Sequence, residues 1–294
     1  MTAFMQSMQT TEAMGDMVVR GLTDDDSFRV MVAVTTDSVK QVIDLQKPPF
    51  GQVEALGCLL TGAVLVRETM SPSERVQAII RGADNRGTLV ADSHPDGTIR
   101  GLCNLPDDMD SIAWKPGAVM AIMRSLPRGQ THQGVVSLEN TSSVSQALMV
   151  YMHESEQVRT MIDVACSISA GHIVAAGGYV VQLLPELSDA KLAIMTERLA
   201  SFSSMRELLH QGQRPVEIMQ ELLYGMPYSL LEQTPVRFEC KCSEYRLLAS
   251  MGSLRQQDLQ ELAASTEPIE VECDFCHKHY VIAPSQLRTL LTPS

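Results

Sequence analysis

From Ser27 to Thr35 apolar side chains recur at period two, with Val30, Val32 and Val34 on one face, which predicts a strand. The period then lengthens: Asp37 can cap a helix bearing Val39, Val42 and Ile43, and Lys47-Pro48-Pro49 interrupts it. Val53, Leu56, Leu59, Leu60, Ala63 and Val64 follow helical spacing up to about Glu68 and predict a buried helix. Arg75–Arg81, Thr88–Asp92 and Thr98–Leu102 read as strands, the last two joined by the turn His94-Pro95-Asp96-Gly97, so an antiparallel sheet follows. A short strand at Val135-Val136 leads to a helix from Ser143 to Glu156 with Leu148, Met149 and Met152 on one side. Two further strands span Val158–Ser169 and His172–Leu184, the second carrying Gly177-Gly178, which in a strand implies a bulge or a close backbone approach.

From Ser188 the pattern predicts helices only. Leu192, Met195, Leu199 and Phe202 step by three and four, Ser204 and Glu207 form a capping box, Gly212 is a stop, and Pro215 opens a helix bearing Ile218, Met219, Leu222 and Leu223 that Gly225 ends. These apolar faces are too many for a free spacer and should pack on a neighbouring domain. The expected class is therefore α+β, since helices and strands are mixed rather than strictly alternating. The parts are an N-terminal mixed α/β core with an antiparallel sheet (1–185), a helical linker (186–235) and a small C-terminal module (236–294).

Composition narrows the function classes. The formal charge of −12 across 294 residues argues against nucleic acid and anionic membranes as partners. Residues Met1 to Val19 carry no basic side chain and mix polar with apolar positions, unlike a secretory signal, and the most apolar stretch, Gly57 to Val66, is shorter than the roughly 20 residues of a membrane span. A cytoplasmic location is the expectation. No Ser-His-Asp order, P-loop or dinucleotide fingerprint is present, and Gly57 to Gly62 lacks the phosphate-loop Lys and Ser/Thr pair, so the chain is not read as an enzyme. The 18 methionines fit ordinary core filling or soft, adaptable apolar surface.

Seven cysteines, an odd number, point to thiols or metal ligands rather than a permanent disulfide framework. Cys240-Lys241-Cys242 and Cys273-Asp274-Phe275-Cys276, 30 residues apart, can converge as four sulfur ligands around one tetrahedral zinc ion. A segment this short rarely folds unaided, and structural zinc supplies about 10 to 16 kcal/mol in small finger peptides, so loss of the metal should unfold it. Thiolate is both the ligand and the oxidisable form. Removing the metal would leave Cys273 and Cys276 with the spacing of thiol–disulfide exchange proteins, and Cys240 and Cys242 able to close a small strained ring. His277 and His279 beside the second pair read as solvated groups able to tune thiolate basicity, and Cys58, Cys103 and Cys166, in apolar runs, as buried inert thiols.

With these motifs in view the chain resembles the redox-regulated holdase chaperone family of heat-shock protein thirty-three. The similarity rests on the C-x-C, long gap, C-x-x-C pattern in Phe238–Ser243 and Val271–Cys276, and on the run Asp96-Gly97-Thr98-Ile99-Arg100-Gly101. Gln133-Gly134-Val135-Val136, Glu154-Ser155-Glu156-Gln157, and Ala175–Gln182 before Leu184-Pro185 extend it over nearly the whole chain. It departs from the family at Glu244-Tyr245-Arg246 and at the longer, polar turn from Gly82 to Gly87. The resemblance implies an ATP-independent chaperone that is quiet when reduced and holds one zinc ion through Cys240, Cys242, Cys273 and Cys276. By the same resemblance, oxidants join Cys273 to Cys276 first and then Cys240 to Cys242, expelling the metal, disordering the module and linker, exposing apolar surface to unfolding client proteins and favouring a homodimer. Two other readings stay open on the residues alone: a zinc-ribbon protein-binding module without redox switching, and a thiol oxidoreductase using Cys273 and Cys276. The strand-like flanks Glu270-Val271-Glu272 and Tyr280-Val281-Ile282 weigh against the latter.

Overall fold

The computed structural model describes residues 15–125, 129–185 and 187–291; the reading of the extreme N-terminus lies for the most part outside these residues. The chain begins with strands β1 (Met17–Thr23) and β2 (Phe28–Val34), then helices α1 (Thr36–Gln46) and α2 (Phe50–Thr69). A meander follows, with β3 (Arg75–Arg81), β4 (Thr88–Ser93), β5 (Thr98–Asn104), β6 (Val119–Ser125) and β7 (Thr131–Ser137). Helix α3 (Val144–Glu154) returns the chain to the strands β8 (Thr160–Ser169) and β9 (His172–Leu183). Three helices come next, α4 (Asp189–Ser201), α5 (Met205–His210) and α6 (Pro215–Leu222), and then the strands β10 (Tyr228–Pro235) and β11 (Arg237–Phe238). The last part comprises α7 (Glu244–Met251), α8 (Gln256–Ala264), β12 (Ile269–Glu272), β13 (His279–Ile282) and α9 (Pro284–Leu291).

Two sheets hold the core. One is antiparallel throughout in the order β10-β1-β2-β9-β8; the other runs β11-β5-β4-β3-β6-β7, and only its β11–β5 edge is parallel. Helix α2 packs against β3, β4 and β5 of one sheet and β2, β8 and β9 of the other. A helix covered on every side must be apolar all round, and Leu56, Leu59, Leu60, Ala63, Val64, Leu65 and Val66 are accordingly buried. Several polar groups of α2 find partners inside: Gln52 Oε1 accepts from the Ile112 amide at 2.7 Å, Thr61 shares a 2.7 Å hydrogen bond with Thr35, and Arg67 and Glu68 pair with each other. The helix is longer than its most apolar stretch suggested, and by length and composition it matches a membrane span, but 78% of its most apolar window is buried between the sheets.

Alternation along β2 serves two cores. Met31 and Ala33 face α2, whereas Val30 and Val32 face a second cluster made with Met195, Met205, Leu208, Ile218, Met219 and Leu222. Helices α4 to α6 thus cover the outer face of the five-stranded sheet, which accounts for their many apolar positions. The expectation of helices alone from Ser188 is corrected at Tyr228–Pro235: these residues form β10, antiparallel to β1, because the outer edge of β1 offers unpaired backbone groups that must find partners. The register shift in the β8–β9 pair falls at Ser167/Ile168 rather than at the glycine pair. Gly177 and Gly178 instead mark close approaches, since a Cβ there would lie 2.6 Å from the Ala33 carbonyl oxygen and 2.7 Å from that of Asp163. The polar turn from Gly82 to Gly87 is closed by the Gly82 amide bonding the Gly87 carbonyl, with Asp84 and Asn85 in the left-handed region.

Candidate metal centre

Cys240 and Cys242 leave the core on an extended segment directly after β11, whose neighbour Val236 is buried in the main core, so the strand lies on the core side of the boundary drawn at 236. Ser243 ends that segment by accepting the Arg246 amide and starting α7. At the family departure, Arg246 Nη1 donates to the Lys241 carbonyl at 3.1 Å while Tyr245 stays exposed. Cys273 and Cys276 occupy the tight turn between β12 and β13. The Cys273 amide donates to the Lys278 carbonyl, the amides of Cys276 and His277 fold back on the Cys273 carbonyl, and His277 is left-handed at φ 57°. Behind the turn Leu259, Ala263, Ile282 and Leu287 form the buried apolar cluster, too small a core to order three short helices and a hairpin.

The four sulfurs converge. Cys240 Sγ lies 3.7 Å from Cys273 Sγ, Cys242 Sγ lies 3.4 Å from Cys276 Sγ, and all four fall within 4.8 Å of one another. Zinc–sulfur bonds of about 2.3 Å in tetrahedral geometry separate neighbouring sulfurs by roughly 3.8 Å, so the cage has the dimensions of a four-thiolate zinc site. All four are free thiols here, and among the described residues they form the one cluster of three or more metal-ligating groups.

The surroundings polarise the cage. Burial opposes ionisation of Cys242, but hydrogen bonds from Tyr280, Cys276, Cys240 and Cys273 outweigh it and bring this thiol down to about 7. The Tyr280 hydroxyl donates to Cys242 Sγ at 3.1 Å, a bond that in turn raises the tyrosine. Burial pushes Cys276 up, and its contacts with the other thiols add to the rise; burial likewise raises Cys273. Four adjacent sulfurs therefore cannot all ionise unaided, and a bound dication that deprotonates its thiol ligands is the chemistry this donor set suits. His277 pairs with Glu272, and His279 is exposed, so neither joins the cage. Cys58, Cys103 and Cys166 lie apart from it. Burial pushes Cys58 up, Cys103 to about 11 and Cys166 to about 12, as inert thiols require, although Cys103 is only half-buried.

The turn is seated on the core by residues the cysteine motif gave no hint of. The Arg100 guanidinium stands 4.0 Å from the centroid of the Phe275 ring with Nη1 3.9 Å from Cys240 Sγ, and its Nε donates to the buried Asp92 at 2.9 Å. Asp92 also accepts from Arg75 at 2.5 and 2.7 Å, and His94 Nε2 lies 3.3 Å away. Gln46, at the end of α1, donates through Nε2 to the carbonyls of Asp274 at 2.8 Å and Phe275 at 3.1 Å. Lys241 pairs with Asp96. Arg100 and Asp96 stood inside a run that carried the resemblance, but Gln46 had no sequence signal, being far along the chain from every residue it holds.

Fold and site together define a class: a two-sheet core wrapped around one helix, with a four-thiol module, able to hold a metal ion, seated on the edge of one sheet. The family model described as Hsp33 protein matches residues 16–283. A protein of Syntrophotalea carbinolica named 33 kDa chaperonin is 30% identical over 289 residues, covering 95% of this chain and 100% of that protein. The 33 kDa chaperonin of Thermoanaerobacter sp. is 27% identical over 291 residues, covering 95% and 98%. The crystal structure of the 33 kDa chaperonin (Heat shock protein 33 homolog) of Thermotoga maritima aligns with a TM-score of 0.77 at 21% identity, over 94% of this chain and 97% of that one, a likeness of fold. The chain belongs to the Hsp33 family.

Proposed function

We propose that this protein is a redox-regulated, ATP-independent holdase: reduced and holding one zinc ion it is quiet, and oxidised it binds unfolding proteins and prevents their aggregation. The observation that carries the reading is the convergence of Cys240, Cys242, Cys273 and Cys276 within 4.8 Å, in a module whose own core is small and which is seated against the folded core. Zinc bound there would hold the four sulfurs as thiolates and tie the two halves of the module together. Each disulfide removes two electrons from a thiolate pair; a peroxide accepts them and, with two protons, leaves as two waters. Joining Cys273 to Cys276 and Cys240 to Cys242 consumes two peroxides and all four ligands. The module then loses its staple, the seam at Phe275 opens, and the apolar faces of α4 to α6 become available to clients, with a homodimer as the oxidised form.

The test is zinc content and free-thiol count before and after peroxide with mild heating, alongside light scattering from a heat-unfolding client. One zinc and four thiols should be lost as suppression of aggregation appears. Zinc and four protected thiols retained, with no gain in suppression, would instead make the module a static zinc ribbon.

A further inference from the structure

The edge of the six-stranded sheet beside the cysteine turn has the form of a covered strand-pairing site. The outer neighbour of β5 is β11, only two residues long and parallel, with Arg237 opposite Thr98 and Phe238 opposite Ile99. The amides of Arg237 and Glu239 donate to the carbonyls of Gly97 and Ile99, each at 3.1 Å. Alternation along a strand sends the Gly97 carbonyl and the backbone groups of Ile99, Gly101 and Cys103 to this outer side, while the Gly97 amide closes the turn on the His94 carbonyl. Those of the residues between them face β4, as the His94 amide bonding the Thr98 carbonyl illustrates. Strand β11 covers the first two positions, and Gly101 falls beyond its end. At the fourth, the Cys103 amide donates to Gln46 Oε1 at 3.0 Å, a side-chain carbonyl standing where a strand carbonyl would. The other end of that same amide group holds the Asp274 and Phe275 carbonyls, and Arg100, from the middle of β5, lies against Phe275. The cysteine turn therefore closes this edge.

We propose that release of the cysteine module uncovers the outer edge of β5 and that an extended segment of an unfolding polypeptide adds to it as a strand. The inference rests on the redox reading above for the release itself. The occupant follows from what already sits there. Strand β11 demonstrates that an extended segment fits in parallel register, and the ladder it begins continues along Gly101 and Cys103. Backbone pairing is indifferent to sequence, which suits a binder of many unfolded chains, and alternate side-chain sites add preference. An edge of this length left open in the resting protein would invite aggregation, which gives the cover its purpose.

The experiment uses the full chain oxidised with peroxide under mild heating, with reduced, carboxymethylated α-lactalbumin as a permanently unfolded probe. Binding is read by fluorescence anisotropy of the labelled probe, and hydrogen exchange by mass spectrometry of peptides spanning 97–104. The probe should slow exchange there by about tenfold or more, as ladder hydrogen bonds protect amides. Cys103→Pro, which deletes one outward amide at an edge position that tolerates proline, should weaken binding by roughly three- to tenfold. Unchanged exchange while the probe binds would overturn the inference and leave the holdase reading standing. So would protection that appears without probe and grows with protein concentration, since a second copy would then be the occupant. Absence of any probe binding after oxidation would bring down both. The exchange measurement needs no substitution, so it decides the matter even where Cys103→Pro does not fold.

Discussion

Asp92→Ala is the sharpest probe of how the core carries the metal module. The carboxylate is fully buried on β4 and is the shared counter-charge of Arg75, Arg100 and His94, with contacts from 2.5 to 3.3 Å. Removing one partner of a buried ion pair typically costs about 3 to 5 kcal/mol, because the remaining charge stays desolvated. Arg75 is 34% exposed and can recover water, whereas Arg100 at 18% cannot do so fully, which places the loss near the lower end, about 3 kcal/mol. At a urea slope of about 3 kcal/mol/M, suited to a chain of this size, the unfolding midpoint should fall by roughly 1 M. Trp114, the single tryptophan, packs against the main core and reports the transition by fluorescence. Adding Arg100→Met removes the cation that cannot fully rehydrate, so the double variant should regain at least about 1 kcal/mol over Asp92→Ala. The pH dependence has a definite sign. Burial raises the Asp92 pKa, but hydrogen bonds from His94 and Arg75 and the charge of Arg75 outweigh it and hold the carboxyl below the usual range. Its stabilising share is then complete above the ordinary aspartate value of 3.8 and is lost as pH falls below that toward the folded value, so parent and variant should converge in stability only below about pH 4. A loss under about 1 kcal/mol at neutral pH, or no recovery in the double variant, would refute the claim that an uncompensated charge sets the cost.

Three further outcomes follow from the same geometry. Gly97→Ala places a Cβ 2.1 Å from the Pro235 carbonyl oxygen at a φ of 78°, so β11 should lift from β5 and thiol loss under peroxide should quicken; an unchanged rate in a thiol-titration time course would count against β11 as a brace. Leu59→Ala, at a fully buried position of α2 between the sheets, should cost about 2 to 5 kcal/mol in urea unfolding followed at Trp114. Stripping metal from the reduced protein with a chelator should melt α7 to α9, seen as lost far-UV helicity, while the urea midpoint at Trp114 moves little, because that module's own buried cluster is four residues.

The elements that were legible in the sequence are mostly those whose burial follows one period. α1, α3 and the helices over the outer sheet face turn one stripe inward, β2 is marked by its β-branched run although both its faces are buried, and the capping box at Ser204 and Glu207 forms as the spacing requires. β1 was not legible because Arg20 and Gly21 interrupt its alternation; Arg20 is accommodated only by Glu68 and Glu232, residues that no local window contains. β6 is buried from Met120 to Ile122 on both faces, so its apolar run carries no alternation to read, and β7 extends well beyond Val135-Val136 because Thr131 to Gln133 are exposed polar residues paired with β6. In β10, Leu230 and Leu231 are both exposed, so pairing with β1 rather than side-chain burial makes it a strand.

The site divides along the same line. Four cysteines in two short-spaced pairs announce themselves, because a four-thiolate site would force such a pattern into the sequence. The seam that makes the cage matter to the core leaves no such mark: Gln46 lies at the end of α1, Asp92 and Arg100 face each other across β4 and β5, and Tyr280 sits beyond the turn. Each is an ordinary polar residue until folding sets it against a thiol or a peptide carbonyl. Yet these residues are what joins the cysteine module to the core. With Arg100 against Phe275 and Gln46 spanning from Cys103 to the cysteine turn, the four-sulfur cluster is joined by direct contacts to the edge of the central sheet.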